Sequence, residues 1–179
     1  MNTTRILILA LALIMSSATT TVAQQVDDKN TDSIVLLLSG FEYFPTRTEL
    51  EAVTPEAASI LVAISQDKSN KPSLRLRAID ALGLFNNPVA AQHFEASLAQ
   101  GKMEEVYLRH SITASLKAFG QTALPWVHPY IDHNDPNIRL DAAHAITRFG
   151  GADGLGMIRA RQRIEQDPFV RSQLIKLDP

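Results

Sequence analysis

Apolar residues recur along this chain at helical spacing, in stretches that follow one another at a nearly constant interval. Within a stretch, the first apolar residue is followed by others four, eight and eleven positions later, which places them on one helical face. These columns are Leu74, Leu108, Ile138 and Val170; Ala78, Ile112, Ala142 and Leu174; Leu82, Leu116 and Ile146; and Phe85, Phe119 and Phe149. An arginine directly follows the first column: Arg75, Arg109, Arg139 and Arg171. Their steps of 34, 30 and 32 residues are typical of a helical repeat protein.

The starts and ends of these helices are also periodic. Three residues before the arginine stand Pro72, Val106, Pro136 and Pro168, and proline is tolerated in a first helical turn because the missing N–H has no intrahelical partner. Asp135 and Asp167 precede two of the prolines and are expected N-caps. Asn86, Gly120 and Gly150 follow the last apolar column and suit the left-handed conformation that ends many helices.

A second helix precedes each of these, so the pattern predicts helix pairs. The predicted pairs are 55–67 with 72–85, 88–100 with 103–119, 122–131 with 136–149, and 152–166 with 168–177. The glycines between Gly150 and Gly156 are expected to form a turn between helices. Because a single pair leaves an apolar face in water and stacking buries it, we expect an all-α fold, a short α-solenoid of about four stacked pairs.

The repeat has a recognisable motif. Asp-Pro-x-Ile/Val-Arg, followed by small apolar residues and then Leu-Gly or Phe-Gly, resembles the HEAT-like repeat of phycobilisome lyases and their non-photosynthetic relatives. The best copy is 135–150, and the resemblance covers roughly 54–179. It implies that the arginine helices line the inner surface of the stack. It says little about activity, because function depends on the site that a fold carries.

The residues before the repeats are expected to close the first pair. Residues 34–38 predict a short helix ending at Gly40, and the segment 34–53 is predicted to be an N-terminal helical cap. An aromatic cluster follows the helix: Phe41, Tyr43, Phe44 and Pro45. We favour a capping role for this cluster over a ligand groove. Thr46 with Glu49 matches a capping box at the start of the next helix.

The first 23 residues have the layout of a secretory signal peptide: Arg5, the apolar run 6–15, and Thr21-Val22-Ala23. Cleavage after Ala23 would leave residues 24–33 as a flexible mature N-terminus. An apolar run of ten residues is shorter than the roughly 20 that span a bilayer, so we expect no membrane span after cleavage. The protein is therefore predicted to be exported, either to the periplasm or outside the cell.

The amino-acid composition excludes some kinds of binding site. The chain has no cysteine, which excludes disulfides and thiolate metal sites. It has 17 Lys and Arg against 19 Asp and Glu; cleavage would remove Arg5 and leave a net charge of −3, which argues against nucleic-acid binding. None of the five histidines is followed by the glutamate found in helical-repeat di-iron hydroxylases. The cluster of Asp132, His133 and Asp135 is read as a solvated turn, so no metal or other cofactor is expected.

The arginine column is expected to be structural, with each guanidinium binding acidic or carbonyl groups at a neighbouring helix start. The candidate partner-binding residues lie two, five and nine positions after the arginines: Arg77, Asp80, Asp141, His144 and Arg148. A rival surface is the basic C-terminal end formed by Arg159, Arg161 and Arg163 with Arg148 and Arg171, which would suit an acidic protein or anionic lipid.

No catalytic residue is predicted. The sequence favours an exported, non-catalytic protein-interaction module or small scaffold whose partner is another protein. The alternative is a lyase-like or enzyme-assisting protein, which follows from the family resemblance alone.

Overall fold

The computed structural model describes residues 28–40 and 42–178. The predicted signal peptide, the first residues of the predicted flexible segment, and Phe41 lie outside the described residues. The helices are α1 (28–38), α2 (Arg47–Val53), α3 (Ala57–Gln66), α4 (Pro72–Leu82), α5 (Pro88–Gln100), α6 (Glu105–Phe119), α7 (Leu124–Ile131), α8 (Pro136–Phe149), α9 (Gly151–Ile164) and α10 (Pro168–Leu177). A short 3-10 helix, Gly120–Ala123, leads into α7.

Helices α3 to α10 pack as consecutive pairs, α3 with α4, α5 with α6, α7 with α8, and α9 with α10. The second helices of successive pairs also pack in a row, from α4 through α6 and α8 to α10. No strand occurs in the part of the chain that the structure describes. This arrangement confirms the predicted all-α stack of four helix pairs.

The predicted apolar columns form the core. Ile112, Leu116, Ile146 and Leu174 are each 0% exposed, and Phe85 is 1% exposed. Fully burying such a side chain contributes about 1.5–3 kcal/mol, so the columns that define the repeat also account for much of its stability.

The N-terminal helices close the stack at the first pair. Ile34 and Leu38 of α1 are fully buried in the same apolar cluster as Leu50 of α2 and Leu61 of α3. Helix α1 includes residues 28–33, which the sequence analysis assigned to a flexible segment. The buried apolar residues of α1 therefore pack on the first helix pair and cover that end of the core.

Three predicted helix starts are formed by the expected side chains. The Thr46 hydroxyl accepts from the backbone N–H of Glu49, whose carboxylate accepts from the N–H of Thr46 at 2.8 Å. Asp135 accepts from the backbone of residue 137 at 2.8 Å. Asp167 accepts from the backbone of residues 169 and 170 at 2.9 and 3.1 Å. Each cap satisfies backbone donors that have no intrahelical partner.

Two helix ends differ from the prediction. Helix α4 ends at Leu82, before the expected stop at Asn86, and Gly83 follows it. A Cβ atom at Gly83 would lie 3.0 Å from the backbone of Ala114, so glycine allows α4 to approach α6 closely at this point. At the end of α8, Gly150 is right-handed with φ −83°, and the left-handed residue is Gly151 with φ 62°.

The predicted glycine turn is wrong, because Gly154 and Gly156 lie inside α9. A Cβ atom at Gly154 would be 2.9 Å from Cγ2 and 3.0 Å from the carbonyl oxygen of Ile146. Glycine is therefore required here by the close packing of α9 on α8.

Each of the described helices is too short or too polar to cross a membrane.

Candidate functional site: the polar strip of the second helices

Helices α4, α6 and α8 carry a set of charged and histidine side chains, which we call the polar strip, and two ion pairs in this set link neighbouring helices. The strip consists of Arg77, Asp80, Arg109, His110, Asp141, His144 and Arg148. Nδ1 of His110 lies 2.7 Å from the Asp80 carboxylate, which links α6 to α4. Nε of Arg109 lies 2.7 Å from the Asp141 carboxylate, which links α6 to α8. The strip therefore crosses three consecutive repeats.

These pairs are accessible to solvent. The side chains of Arg109 and Asp141 are each 39% exposed, and those of His110 and Asp80 are 35% and 37% exposed. Ion pairs at such exposure contribute only about 0–1 kcal/mol each. The charged side chains of the strip are therefore partly accessible to another molecule, although Nε of Arg109 and Oδ2 of Asp141 are buried where they meet.

The Asp80–His110 pair depends on pH. The hydrogen bond to Asp80 raises the pKa of His110 above its ordinary value of 6.5, partly opposed by burial of the ring. Protonated histidine is therefore favoured in the folded chain. The charge of the strip therefore changes as the pH passes the raised pKa of His110.

Aromatic side chains adjoin the strip at its α4 end. A guanidinium N–H of Arg77 donates to the Tyr43 carbonyl, and the guanidinium carbon lies 5.3 Å from the centre of the Phe44 ring. Tyr43 and Phe44 are 43% and 38% exposed, whereas Pro45 of the same cluster is buried. Exposed tyrosine and arginine side chains are common among the residues that dominate binding energy in protein interfaces.

At the other end, α8 presents two exposed residues of the strip. His144 and Arg148 are both exposed and lie on the same side of α8 as Asp141, at spacings of three and four residues. The guanidinium carbon of Arg148 is 5.0 Å from the centre of the Phe149 ring. Of the five predicted partner-binding residues, Asp80 and Asp141 form the pairs that link neighbouring helices. Their partners on α6 were not predicted as binding residues, since His110 was not singled out and Arg109 was placed only in the structural column.

The remaining arginines of the column have different surroundings. Arg139 is 7% exposed, and its guanidinium donates to both Glu165 carboxylate oxygens at 2.8 and 2.9 Å. It also donates to the carbonyls of His133 and Asn134 at 2.8 and 3.0 Å. Arg139 therefore joins its own pair to the next one, whereas Arg171 is exposed.

Arg75 is half-buried and has no carboxylate partner among the described residues. Its Nε donates to the Ser65 carbonyl and its Nη1 donates to the Tyr107 hydroxyl, both at 3.0 Å. Its guanidinium carbon lies 4.3 Å from the centre of the Tyr107 ring. Arg75 thus also contacts the next repeat, through an aromatic residue.

Glu165 is a buried acidic residue that binds groups of the last two helix pairs, and it was not predicted from the sequence. Its side chain is 1% exposed and accepts hydrogen bonds from Arg139, Arg161 and the backbone of Asp167. Burial alone would raise the pKa of Glu165, but these hydrogen bonds lower it to about 2. The ionised carboxylate connects α8, α9 and the start of α10.

Two of the five arginines of the basic C-terminal end have acidic partners. Arg159 binds Asp178 at 2.8 Å, and Arg161 binds Asp132 at 2.8 Å as well as Glu165. Asp132 is therefore an arginine partner, and no metal-binding group of three His, Asp or Glu side chains occurs in the described part of the chain. Within the described residues, Arg148, Arg163 and Arg171 are exposed and form no ion pair, so the rival basic surface keeps three of its five arginines.

No family model matches the chain, and no curated protein matches it.

Proposed function

We propose that this protein is an exported, non-catalytic interaction module, built on HEAT-like repeats, that binds another protein through the polar strip. The observation that supports this most is the continuity of the strip, because the Asp80–His110 and Arg109–Asp141 pairs connect three successive second helices. Surfaces built from equivalent helices of a repeat stack bind extended segments or domains without needing a deep pocket.

The side chains of the strip indicate which chemical groups a partner would present. Arg77 with Tyr43 and Phe44 provides an aromatic and cationic end, whereas His144 and Arg148 provide exposed polar groups at the other end. Such a surface suits a partner that presents carboxylates and apolar side chains along an extended segment. The charge complementarity would set the association rate and the orientation of the complex.

The binding face is tested by changing Asp141, His144 and Arg148 together to alanine. We expect the helical circular dichroism to be retained and the affinity for the native partner to fall by at least about tenfold, which is about 1.4 kcal/mol. The matched control is Gln92→Ala with Glu95→Ala on the exposed side of α5, which should leave partner capture from the native extract unchanged. Equal loss in both variants would contradict the assignment.

The rival basic end is tested in parallel with Arg159→Glu and Arg163→Glu. Arg161 is left unchanged because its side chain is 15% exposed and holds Glu165, so its replacement would disturb the fold. If this pair loses the partner and the α8 variant retains it, the partner binds at the C-terminal end and the polar strip is not the interface.

Export is tested by the intact mass of the protein purified from its native source. Cleavage of the predicted signal peptide gives a chain that begins at Gln24. A membrane-bound chain that retains Met1 would contradict export with cleavage.

A further inference from the structure

A cavity of about 320 Å³ lies between the first and second helix pairs, away from the polar strip. Its walls come from the C-terminal end of α3, one side of α4 and of α5, the first turn of α6, and the loops before α4 and α6. Three cationic side chains line it, Lys68, Arg75 and Lys102, and Glu104 is the one acidic residue among the described residues of the lining. The lining residues therefore carry an excess of positive charge. Asp67 lies beside them, and hydrogen bonds from Ser69 together with the charge of Arg75 lower its pKa.

Two hydrogen bonds hold the Arg75 guanidinium in place and leave other N–H groups of it without an acceptor among the described residues. Its Nε and one hydrogen of Nη1 are used by the Ser65 carbonyl and the Tyr107 hydroxyl, and the guanidinium lies over the Tyr107 ring. A guanidinium has five N–H donors, and the described residues accept nothing from its Nη2. The side chain is thus fixed before any ligand arrives, which reduces the entropy lost on binding.

A later repeat of the same chain has an arginine at the same position whose carboxylate partner is part of the protein. Arg139 has the same repeat position as Arg75, and it binds both oxygens of Glu165. Glu165 lies six residues before Arg171 of the following helix, and six residues before Arg109 the chain has Met103. Met103 lines the cavity. Where the later repeat supplies a carboxylate to its arginine, the earlier repeat supplies a methionine and a cavity.

We propose that this cavity binds a small organic dicarboxylate, one end of which pairs with the remaining N–H groups of Nη1 and Nη2 of Arg75. The edge of the guanidinium differs from that in the later repeat, where Glu165 binds Nε and Nη2 of Arg139, because Nε of Arg75 already donates to the Ser65 carbonyl. Bidentate pairing with arginine is a strong and geometrically specific way to bind a carboxylate. Lys68 and Lys102 supply positive charge for the second carboxylate. The volume is at the lower end of the range for small-molecule sites, which suits a ligand of this size.

The polar wall of the cavity is consistent with such a ligand. Gln66, Ser97 and Gln100 line it and offer neutral hydrogen-bonding groups. His93 is 8% exposed, its Nδ1 lies 3.4 Å from the Gln66 amide nitrogen, and burial lowers its pKa. A neutral His93 can accept from the amide of Gln66 and so orient this wall.

The first experiment titrates the intact protein with succinate and follows backbone amide shifts by NMR at constant ionic strength. We expect saturable shifts centred on the loop before α6, with succinate binding at least about tenfold more tightly than propionate. Succinamide, which has the same length without charge, should not bind. Absence of saturable binding by succinate, or equal binding by sulfate, would overturn the proposal of a dicarboxylate site.

The second experiment places a carboxylate inside the cavity by the substitution Met103→Glu. Because the new side chain occupies the repeat position of Glu165, it should pair with Arg75 and weaken succinate binding by at least about tenfold. Met103→Gln, which loses the same methionine packing without adding charge, should bind succinate within about twofold of the native protein. If Met103→Glu binds succinate as well as Met103→Gln does, the assignment of Arg75 as the anchor is wrong.

This site and the polar strip can be judged separately. Met103 lies in the loop before α6 and outside the strip, so partner capture should be unchanged in both Met103 variants.

Discussion

Replacing Glu165 by glutamine tests the buried network that joins the last two helix pairs. The Glu165 side chain is 1% exposed and that of Arg139 is 9% exposed, so neither charge can be hydrated if its partner is removed. Glutamine has nearly the same shape, but its amide nitrogen is a donor and would face the N–H groups of Arg139 or Arg161. The substitution therefore removes a charge and adds an unfavourable donor–donor contact.

The expected loss is about 2–4 kcal/mol at pH 7. Removing one partner of a buried ion pair costs about 3–5 kcal/mol. Independently, a pKa lowered from 4.5 to about 2 for Glu165 corresponds by linkage to at most about 3 kcal/mol, less the part that solvent screens. Because the folded-state pKa is the lower one, this stability is present above pH 4.5 and is lost as the pH falls to about 2.

Urea unfolding followed by circular dichroism measures this loss, and the thermal midpoint should fall by at least about 4 °C. Glu95→Gln, on the exposed side of α5, is the control and should stay within about 0.5 kcal/mol. The native protein should also lose more stability than Glu165→Gln between pH 4.5 and 2. A loss below about 1 kcal/mol at pH 7, or identical acid dependence, would refute the assigned role of the network.

Three further experiments test the packing and the strip. Ile146→Ala should cost about 2–4 kcal/mol in urea titrations because it leaves a cavity in the core, whereas Lys117→Ala on the exposed side of α6 should cost at most about 0.5. Gly154→Ala should destabilise by about 1–3 kcal/mol through its contact with α8, and Gly156→Ala, which meets nothing within 4 Å, should stabilise by about 0.4–1 kcal/mol in the same assay. The raised pKa of His110 makes its ion pair contribute below pH 6.5 and lose that contribution as the pH rises through the folded-state value; the difference in urea midpoint between native protein and His110→Gln should therefore be larger at pH 5.5 than at pH 8.5.

Much of the fold could be predicted from the sequence because its signals are local and repeated. The bounds of α8 and α10 agree with the prediction, since proline and a preceding aspartate fix both starts. The end of α4 could not be predicted in this way. It depends on Gly83 lying against the backbone of Ala114, which is distant in sequence, and helical periodicity carries no information about such a contact.

The glycines of α9 are a clearer example of packing that overrides a local preference. Glycine in a helix interior costs about 1 kcal/mol relative to alanine, so a glycine-rich stretch predicts a turn. Gly154 is nevertheless helical, because the space next to Ile146 has no room for a Cβ atom. The requirement belongs to the pair of helices and is not visible in either one alone.

The arginine column shows which part of a site cannot be predicted from the sequence. Arg75, Arg109 and Arg139 share one repeat position, yet they bind an aromatic hydroxyl, a surface aspartate and a buried glutamate, respectively. The arginine is set by the helix, which repeats, whereas two of these partners lie at or beside the loop before the next second helix, and these loops differ from repeat to repeat. Glu165 and Met103 hold the same place in two such loops, and the first lies in a buried ion pair whereas the second lines a cavity. A period read from the sequence can therefore locate the charged group in every repeat, but only the folded chain identifies the repeat in which that group remains available to a ligand.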